Sequence, residues 1–348
     1  MSRDNITGKS ILLMIEQFYG YGEIMRDELL RLGAKSVYLK KADFIKGSFR
    51  DGLEWRKVKE SIRSPYHRSR WTRGLIKEIE GMRFDTFFIV ENMPFKKYFL
   101  SYIREINPNI RIVLFLWDTF RTQQPHYFDY LPLFDTVYSF DRDDADKYGL
   151  RYYPDFYIDK EVVSWDQCKY DLSFVGAMNS SSTLFRGELL RKVQHFAESN
   201  NLFYFFYLRY NLPKERRSKL MNLRRYILFY KYLKEIRLLS NYGFLHSDPI
   251  RISKYNEIMA DSRVILDLNH RNRQGLTINA ITALALGKKL ITTNKRIKEE
   301  PFYDPSMIHI IDDNEPRIDV NFFKTSYQPI NMSHLRMDNW LKHIVNEN

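Results

Sequence analysis

Apolar positions along this chain fall into short blocks separated by stretches of helical period. Ser10–Ile15, Phe84–Val90, Arg111–Trp117 and Asp135–Phe140 are nearly continuous apolar runs, the pattern of strands buried on both faces. Ser36–Leu39 reads as a further strand. Between them, Glu23–Leu32, Leu53–Met82 and Tyr98–Asn107 carry helical spacing; Gly33 stops the first and Asn107-Pro108 closes the third. Asp141–Tyr148 reads as a short helix with Asp141 as its cap and Gly149 as its stop.

The same rhythm restarts further on. Strands are predicted at Tyr170–Gly176, Phe203–Leu208, Val264–Leu268, Lys289–Thr293 and Met307–Ile311. Helices are predicted at Leu184–Asn200, Ser253–Ser262, Thr277–Leu286 and Ser333–Val345. Strands alternating with helices predict an α/β chain of two Rossmann-like parallel sheets, each covered on both faces. Strand patterning pauses between Tyr157 and Tyr170, so the expected domains are 1–160 and 161–330. A closing helix in 331–348 is expected to pack back on the first domain. A length of 348 residues suits two domains of roughly 100–200 residues each.

Composition narrows the class. No run approaches the ~18 apolar residues that span a bilayer, and Ser10–Ile15 is too short for a signal peptide. The single cysteine, Cys168, excludes an intramolecular disulfide and fits a cytoplasmic protein. A net charge of +12 with 16% aromatic residues fits three partners: nucleic acid, an anionic membrane surface, or phosphorylated small molecules.

Much of that charge lies between Arg209 and Arg237. Lys214, Arg216, Arg217, Lys219, Arg224, Arg225, Lys231 and Lys234 alternate there with Tyr226, Phe229, Tyr230 and Tyr232. Arg216, Arg217, Arg224 and Arg225 are the membrane-facing candidates, on the inner face of the cytoplasmic membrane. The alternative is a basic surface helix packing its aromatics on its own domain. No nucleic-acid module signature accompanies the segment, so nucleic acid is not favoured.

The run Asp267–Asn279 follows a buried strand and opens a helix. Open parallel sheets bind ligands at the carboxyl ends of their strands, and a helix N-terminus offers unpaired N–H groups to an anion. Gly275 allows close backbone approach, Arg271 and Arg273 supply cations suited to phosphate, and Thr277 can cap the helix or bond the ligand.

Gly275-Leu-Thr and Ala283-Leu-Ala-Leu-Gly-Lys-Lys-Leu-Ile-Thr-Thr-Asn294 resemble the donor-binding segment of GT-B glycosyltransferases. More narrowly, they resemble bacterial capsule or lipopolysaccharide biosynthesis glycosyltransferases, including the spore-maturation CgeB-like group. The likeness continues at Phe134–Asp141, Asp144–Gly149 and Tyr170–Gly176 with Arg186.

This resemblance implies two Rossmann-like domains facing a cleft. It implies transfer of a sugar from a nucleotide-sugar donor to a surface glycan or lipid-linked saccharide. The nucleotide sugar is then a co-substrate, and no metal or cofactor is expected. The implied donor site comprises Gly176, Arg186, Asn269, His270, Arg271, Arg273, Gln274, Gly275, Leu276, Thr277 and Asn279. Two positions depart from the family pattern: Thr282 stands where a ribose-binding glutamate is usual, and Asn279 where the narrower group has arginine. A threonine cannot act as a charged two-oxygen acceptor. The ribose contact then comes from elsewhere, the donor is unusual, or the activity is weak.

Gly20, Tyr21 and Gly22 form the loop that, by the same resemblance, touches acceptor or phosphate; a plain β-to-α turn is the alternative. Asp141-Arg-Asp143 matches a metal-binding pattern, but helix capping accounts for it better. Asp118, Glu16 and Glu91 stand at or just past strand ends and are the candidates for a general base, with His67 and His246 as further options. The competing functions are a sugar-nucleotide epimerase or hydrolase of the same fold, and a non-catalytic nucleic-acid or membrane-binding protein.

Overall fold

The computed structural model describes residues 6–16, 20–42, 65–91, 93–119, 125–178, 184–210, 223–269, 274–325 and 327–346. The chain divides into two compact units, 1–154 with 336–348, and 155–335. The division falls just ahead of the pause in strand patterning at 157–170.

Unit 1 begins with β1 (Ser10–Ile15), α1 (Tyr21–Arg31) and β2 (Ser36–Lys41). It continues through α2 (Pro65–Glu78), β3 (Thr86–Val90), α3 (Tyr98–Ile106) and β4 (Arg111–Leu116). A 3-10 segment at Pro125–Leu133, then β5 (Thr136–Ser139), α4 (Arg142–Tyr148) and the two-residue β6 (Arg151–Tyr152) follow. All strands are parallel, in the order β2-β1-β3-β4-β5-β6. The central strands are buried along their length, which is why they read as apolar runs.

Unit 2 contains β7 (Tyr170–Met178), α5 (Phe185–Ser199), β8 (Tyr204–Tyr210), α6 (Leu223–Leu239) and the two-residue β9 (Leu245–His246). It then runs through α7 (Ile252–Ala260), β10 (Ser262–Asp267), α8 (Ile278–Ala285), β11 (Lys289–Thr292) and β12 (Ile308–Ile310). Its sheet is also parallel throughout, in the order β12-β11-β10-β7-β8-β9.

The chain ends in α9 (Met337–Asn346), which belongs to unit 1. Trp340 of α9 is fully buried, 4.7 Å from the ring of Phe115 and 6.1 Å from that of Phe88. Its indole N–H donates to the Pro154 carbonyl at 2.9 Å. The helix expected over Ser333–Val345 is two pieces, a 3-10 turn at Ser333–Leu335 and then α9.

Each sheet order has one switch point, where the chain leaves one flank and resumes on the other. It lies between β1 and β3 in unit 1 and between β7 and β10 in unit 2. In open α/β sheets the crevice outside the carboxyl ends of those two strands is where ligands bind.

Candidate functional site

At the unit 2 switch point the chain is fixed from both sides. Asp267, the last residue of β10, is buried. Its carboxylate accepts the Thr277 hydroxyl at 2.8 Å and the Thr292 hydroxyl at 3.2 Å. Thr277 in turn caps α8, its hydroxyl oxygen accepting the Ala280 amide at 3.0 Å. Two buried asparagines hold the preceding loop by one carbonyl: Asn269 donates to the Gly275 oxygen at 3.0 Å and Asn294 at 3.3 Å. Asn294 also donates to the Gln274 carbonyl at 3.1 Å, and Leu276 is buried beneath.

The N-terminus of α8 is thereby tied to the ends of β10 and β11. Helix geometry leaves the amides of Ile278 and Asn279 without intrahelical acceptors, so they are donors for an anion. The Thr277 hydroxyl donates to Asp267, so this residue serves as cap and anchor rather than as a hydroxyl donor to a ligand.

Asn279 ties α8 to β7. Its amide donates to the Val175 carbonyl at 3.2 Å, and its oxygen accepts the Tyr255 hydroxyl of α7 at 2.6 Å. An asparagine here is a neutral clamp across the switch point. Thr282 is buried one turn further along α8. Arg186 donates to the Ala177 carbonyl at 2.7 Å, which sets a fixed cation at the end of β7. Burial pushes the Asp267 carboxyl above its usual range, opposed by the Thr277 hydrogen bond, the Arg186 charge and the Thr292 hydrogen bond.

Gly176 has a packing reason to be glycine. A Cβ there would meet the Phe174 ring at 2.5 Å. His270, Arg271 and Arg273 lie outside the described residues, as do Arg216 and Arg217 and the side chains of His67, Arg224 and Arg225. Of the described part of α6, Tyr232 is buried and donates to the Met178 carbonyl at 2.7 Å, whereas Tyr230 and Leu238 are 63% and 58% exposed. No helix among the described residues is long and apolar enough to cross a membrane.

The unit 1 switch point is acidic. Glu16 follows β1, Glu91 follows β3, and Asp118 stands two residues past β4. Glu91 is buried and has φ 67, a left-handed conformation that costs a residue with a side chain about 1–3 kcal/mol. Its carboxylate accepts the amides of Trp117 and Asp118, each at 3.1 Å, so it shapes the loop that carries Asp118. Burial raises its pKa well above the usual range, and the charges of Asp118 and Glu16 push the same way. The structure thus couples the three carboxylates named from sequence.

Gly20 caps α1 in a left-handed conformation, Tyr21 packs edge-on to Trp117 with centroids 6.4 Å apart, and a Cβ on Gly22 would meet Ile15 at 2.9 Å. Gly22 therefore lets α1 approach β1. Asp141 caps α4, accepting the Asp144 amide at 3.2 Å. His246 stacks on Tyr207 at 4.0 Å in unit 2.

The raised pKa of Glu91 has a stability consequence. The folded state holds the proton more tightly than the unfolded chain, so this contribution is full below about pH 4.5 and is lost as pH rises through the folded value. Each pH unit inside that window removes up to about 1.4 kcal/mol. A glutamine keeps a carbonyl for the two amides. Glu91→Gln is expected to match or exceed the wild type in urea midpoint at pH 8 and to lose the advantage near pH 4.5. A midpoint difference that does not change with pH would contradict this.

Two parallel-sheet units of Rossmann-like type are the make-up of the GT-B fold. No family model and no curated protein matches the sequence. Solved structures do. An Escherichia coli trehalose-6-phosphate protein bound with UDP-2-fluoro glucose superposes with TM-score 0.53 at 11% identity, over 88% of this chain and 88% of that one. An alpha-glucosyltransferase in complex with UDP and a 13-mer DNA gives TM-score 0.53 at 12% identity, over 96% and 90%. A UDP-forming trehalose-phosphate synthase from Burkholderia xenovorans gives 0.52 at 11%, over 98% and 92%.

Proposed function

We propose that this chain is a glycosyltransferase in which unit 2 binds a nucleotide-diphosphate sugar between the ends of β7 and β10. The observation that carries this reading is the α8 N-terminus, fixed at the switch point by Asp267, Thr277, Asn269 and Asn294. A pre-set array of N–H donors and Arg186 stabilises charge that develops on a leaving diphosphate without reorganising during the reaction. UDP in two of the structurally similar enzymes supports a nucleotide donor. No metal ion is assigned to the step.

Asp118, held by Glu91, is our choice for the base that takes the acceptor proton if transfer inverts the sugar. Glu91 combines a left-handed backbone with a carboxyl pushed well above its usual range, a combination typical of functional sites. We assign the acceptor to the class named by the sequence resemblance, a surface glycan or lipid-linked saccharide of capsule or lipopolysaccharide type. Exposed Tyr230 and Leu238 on basic α6 support delivery at an anionic membrane surface.

The test is a transfer assay with the full chain, UDP-sugars and lipid-linked saccharides, with and without anionic vesicles. Expected are UDP release coupled to acceptor extension, stimulation by vesicles, and a loss of at least about 100-fold in Asp118→Asn. UDP-sugar turnover or isotope exchange without any acceptor would instead establish an epimerase or hydrolase. Turnover unaffected by Asp118→Asn would remove that residue as the base.

A further inference from the structure

Among the described residues of unit 2, two lysines are fully buried. Lys288 and Lys289 sit at the amino end of β11, away from the switch point, and both have oxygen partners. Lys288 donates to the Val163 carbonyl at 2.6 Å, and Lys289 to those of Phe322 at 2.6 Å and Thr325 at 2.8 Å. These ammonium groups hold chain segments together. Lys160 differs. It is half-buried, and among the described residues it forms no hydrogen bond and no ion pair. Its ammonium lies 4.8 Å from the centre of the Tyr255 ring.

That ring leads to the switch point. The Tyr255 hydroxyl bonds Asn279, and Asn279 bonds the Val175 carbonyl of β7. Tyr255 stands in the first turn of α7 and Asn279 in the first turn of α8. In a parallel α/β layer, helices begin where strands end, so both first turns are at the carboxyl end of the sheet. Lys160 therefore lies at the carboxyl end of the unit 2 sheet, linked to the first turn of α8 through the Tyr255 ring, and Arg186 is bonded to Ala177 at the end of β7.

We propose that Lys160 is an anion-recognising residue of unit 2, its ammonium taking a phosphate oxygen of the ligand next to the first turn of α8. The proposal rests on the reading of unit 2 as a diphosphate site and adds to it a residue that no sequence motif marks. A partly desolvated cation that, among the described residues, faces an aromatic ring and no carboxylate is costly, and an arriving phosphate supplies a countercharge. Consistent with that environment, burial alone pushes the Lys160 pKa down to about 8. Tyr255 is the titratable group facing it from α7.

The experiment is calorimetric titration of the full chain with UDP, inorganic pyrophosphate and uridine at pH 7 and pH 9, in buffers of different ionisation enthalpy. Raising pH through about 8 removes the lysine proton from the ligand-free protein. Affinity for UDP should then fall about tenfold from pH 7 to pH 9, with proton uptake on binding at pH 9. The terminal phosphate of UDP is already ionised there, its second pKa being about 6, so the fall belongs to the protein. Uridine should show no such dependence.

Lys160→Arg should keep the affinity and lose the fall, because arginine stays charged. Lys160→Met should bind UDP at least about tenfold more weakly at pH 7. Its ligand-free melting temperature should be unchanged or higher, because a desolvated charge is gone. Wild-type affinity in Lys160→Met, or a fall with pH that survives in Lys160→Arg, overturns the assignment of Lys160 alone. Absence of any nucleoside diphosphate or pyrophosphate binding by the wild type overturns the reading of unit 2 and the proposal together.

Discussion

Replacing Trp340 by alanine is expected to destabilise unit 1 by roughly 3–5 kcal/mol, the range for removing a fully buried large aromatic side chain. The indole is fully buried against Phe115 and Phe88, on β4 and β3. Its N–H reaches a carbonyl 186 residues earlier in the chain. The same helix is tied down by Arg111, which donates to the Val345 carbonyl, and by His343, stacked on Tyr153 at 3.8 Å. A late segment thus completes the core of unit 1. Trp340→Phe keeps most of the burial but leaves the Pro154 carbonyl without its donor, and should cost about 1–3 kcal/mol. Urea unfolding followed by probes in each unit should show the unit 1 transition moving first. A loss below about 1 kcal/mol in Trp340→Ala would mean that α9 is not part of that core.

The second large effect is expected at Asp267. Asp267→Ala strands the hydroxyls of Thr277 and Thr292, both of which donate to this buried carboxylate. At about 1–3 kcal/mol for each of the two unsatisfied buried groups, the expected loss is roughly 2–6 kcal/mol. Asp267→Asn leaves one accepting oxygen where there were two, and should fall between alanine and wild type. Because Thr277 caps α8, loosening it also misplaces the amides of Ile278 and Asn279. Diphosphate affinity should therefore drop in Asp267→Asn even where the protein remains folded. Unchanged affinity in a variant of reduced stability would separate the cap from the ligand site.

Much of the fold was legible because its central strands are buried on both faces. Ile11–Ile15, Phe87–Val90 and Ile112–Leu116 are apolar blocks for that reason, and their bounds match the strands within a residue or two. The edge strands β6 and β9 were not legible. Each is two residues long, Arg151–Tyr152 and Leu245–His246, and carries no apolar run. Strand order was hidden too, since it depends on which flank each crossover chooses.

The candidate site was legible in outline. A buried strand ending at Asp267, then Gly275 and a capped helix, mark the segment that the fold places at the unit 2 switch point. What each residue does there was harder to read. Gly22 and Gly176 read as ligand-contacting glycines, yet their bare Cα atoms make room for Ile15 and Phe174. Asn279, where the resemblance expects arginine, is a clamp between Tyr255 and Val175. Asp267 opens the run to Asn279 with no role legible for it, although an acid closing an apolar strand before a Thr-capped helix is the available signal. Glu91 was named for its position, but nothing local announces its left-handed backbone, and Lys160 lies in a stretch with no motif at all.

The central claim is that the unit 2 switch point holds a nucleoside diphosphate. Hydrogen exchange of the full chain with and without saturating UDP tests it most directly. Slowed exchange should concentrate in peptides spanning Val175–Ala177, Asp267–Asn269 and Gly275–Thr282, with the amides of Ile278 and Asn279 among the most affected. No protection anywhere, or protection confined to unit 1, would contradict it.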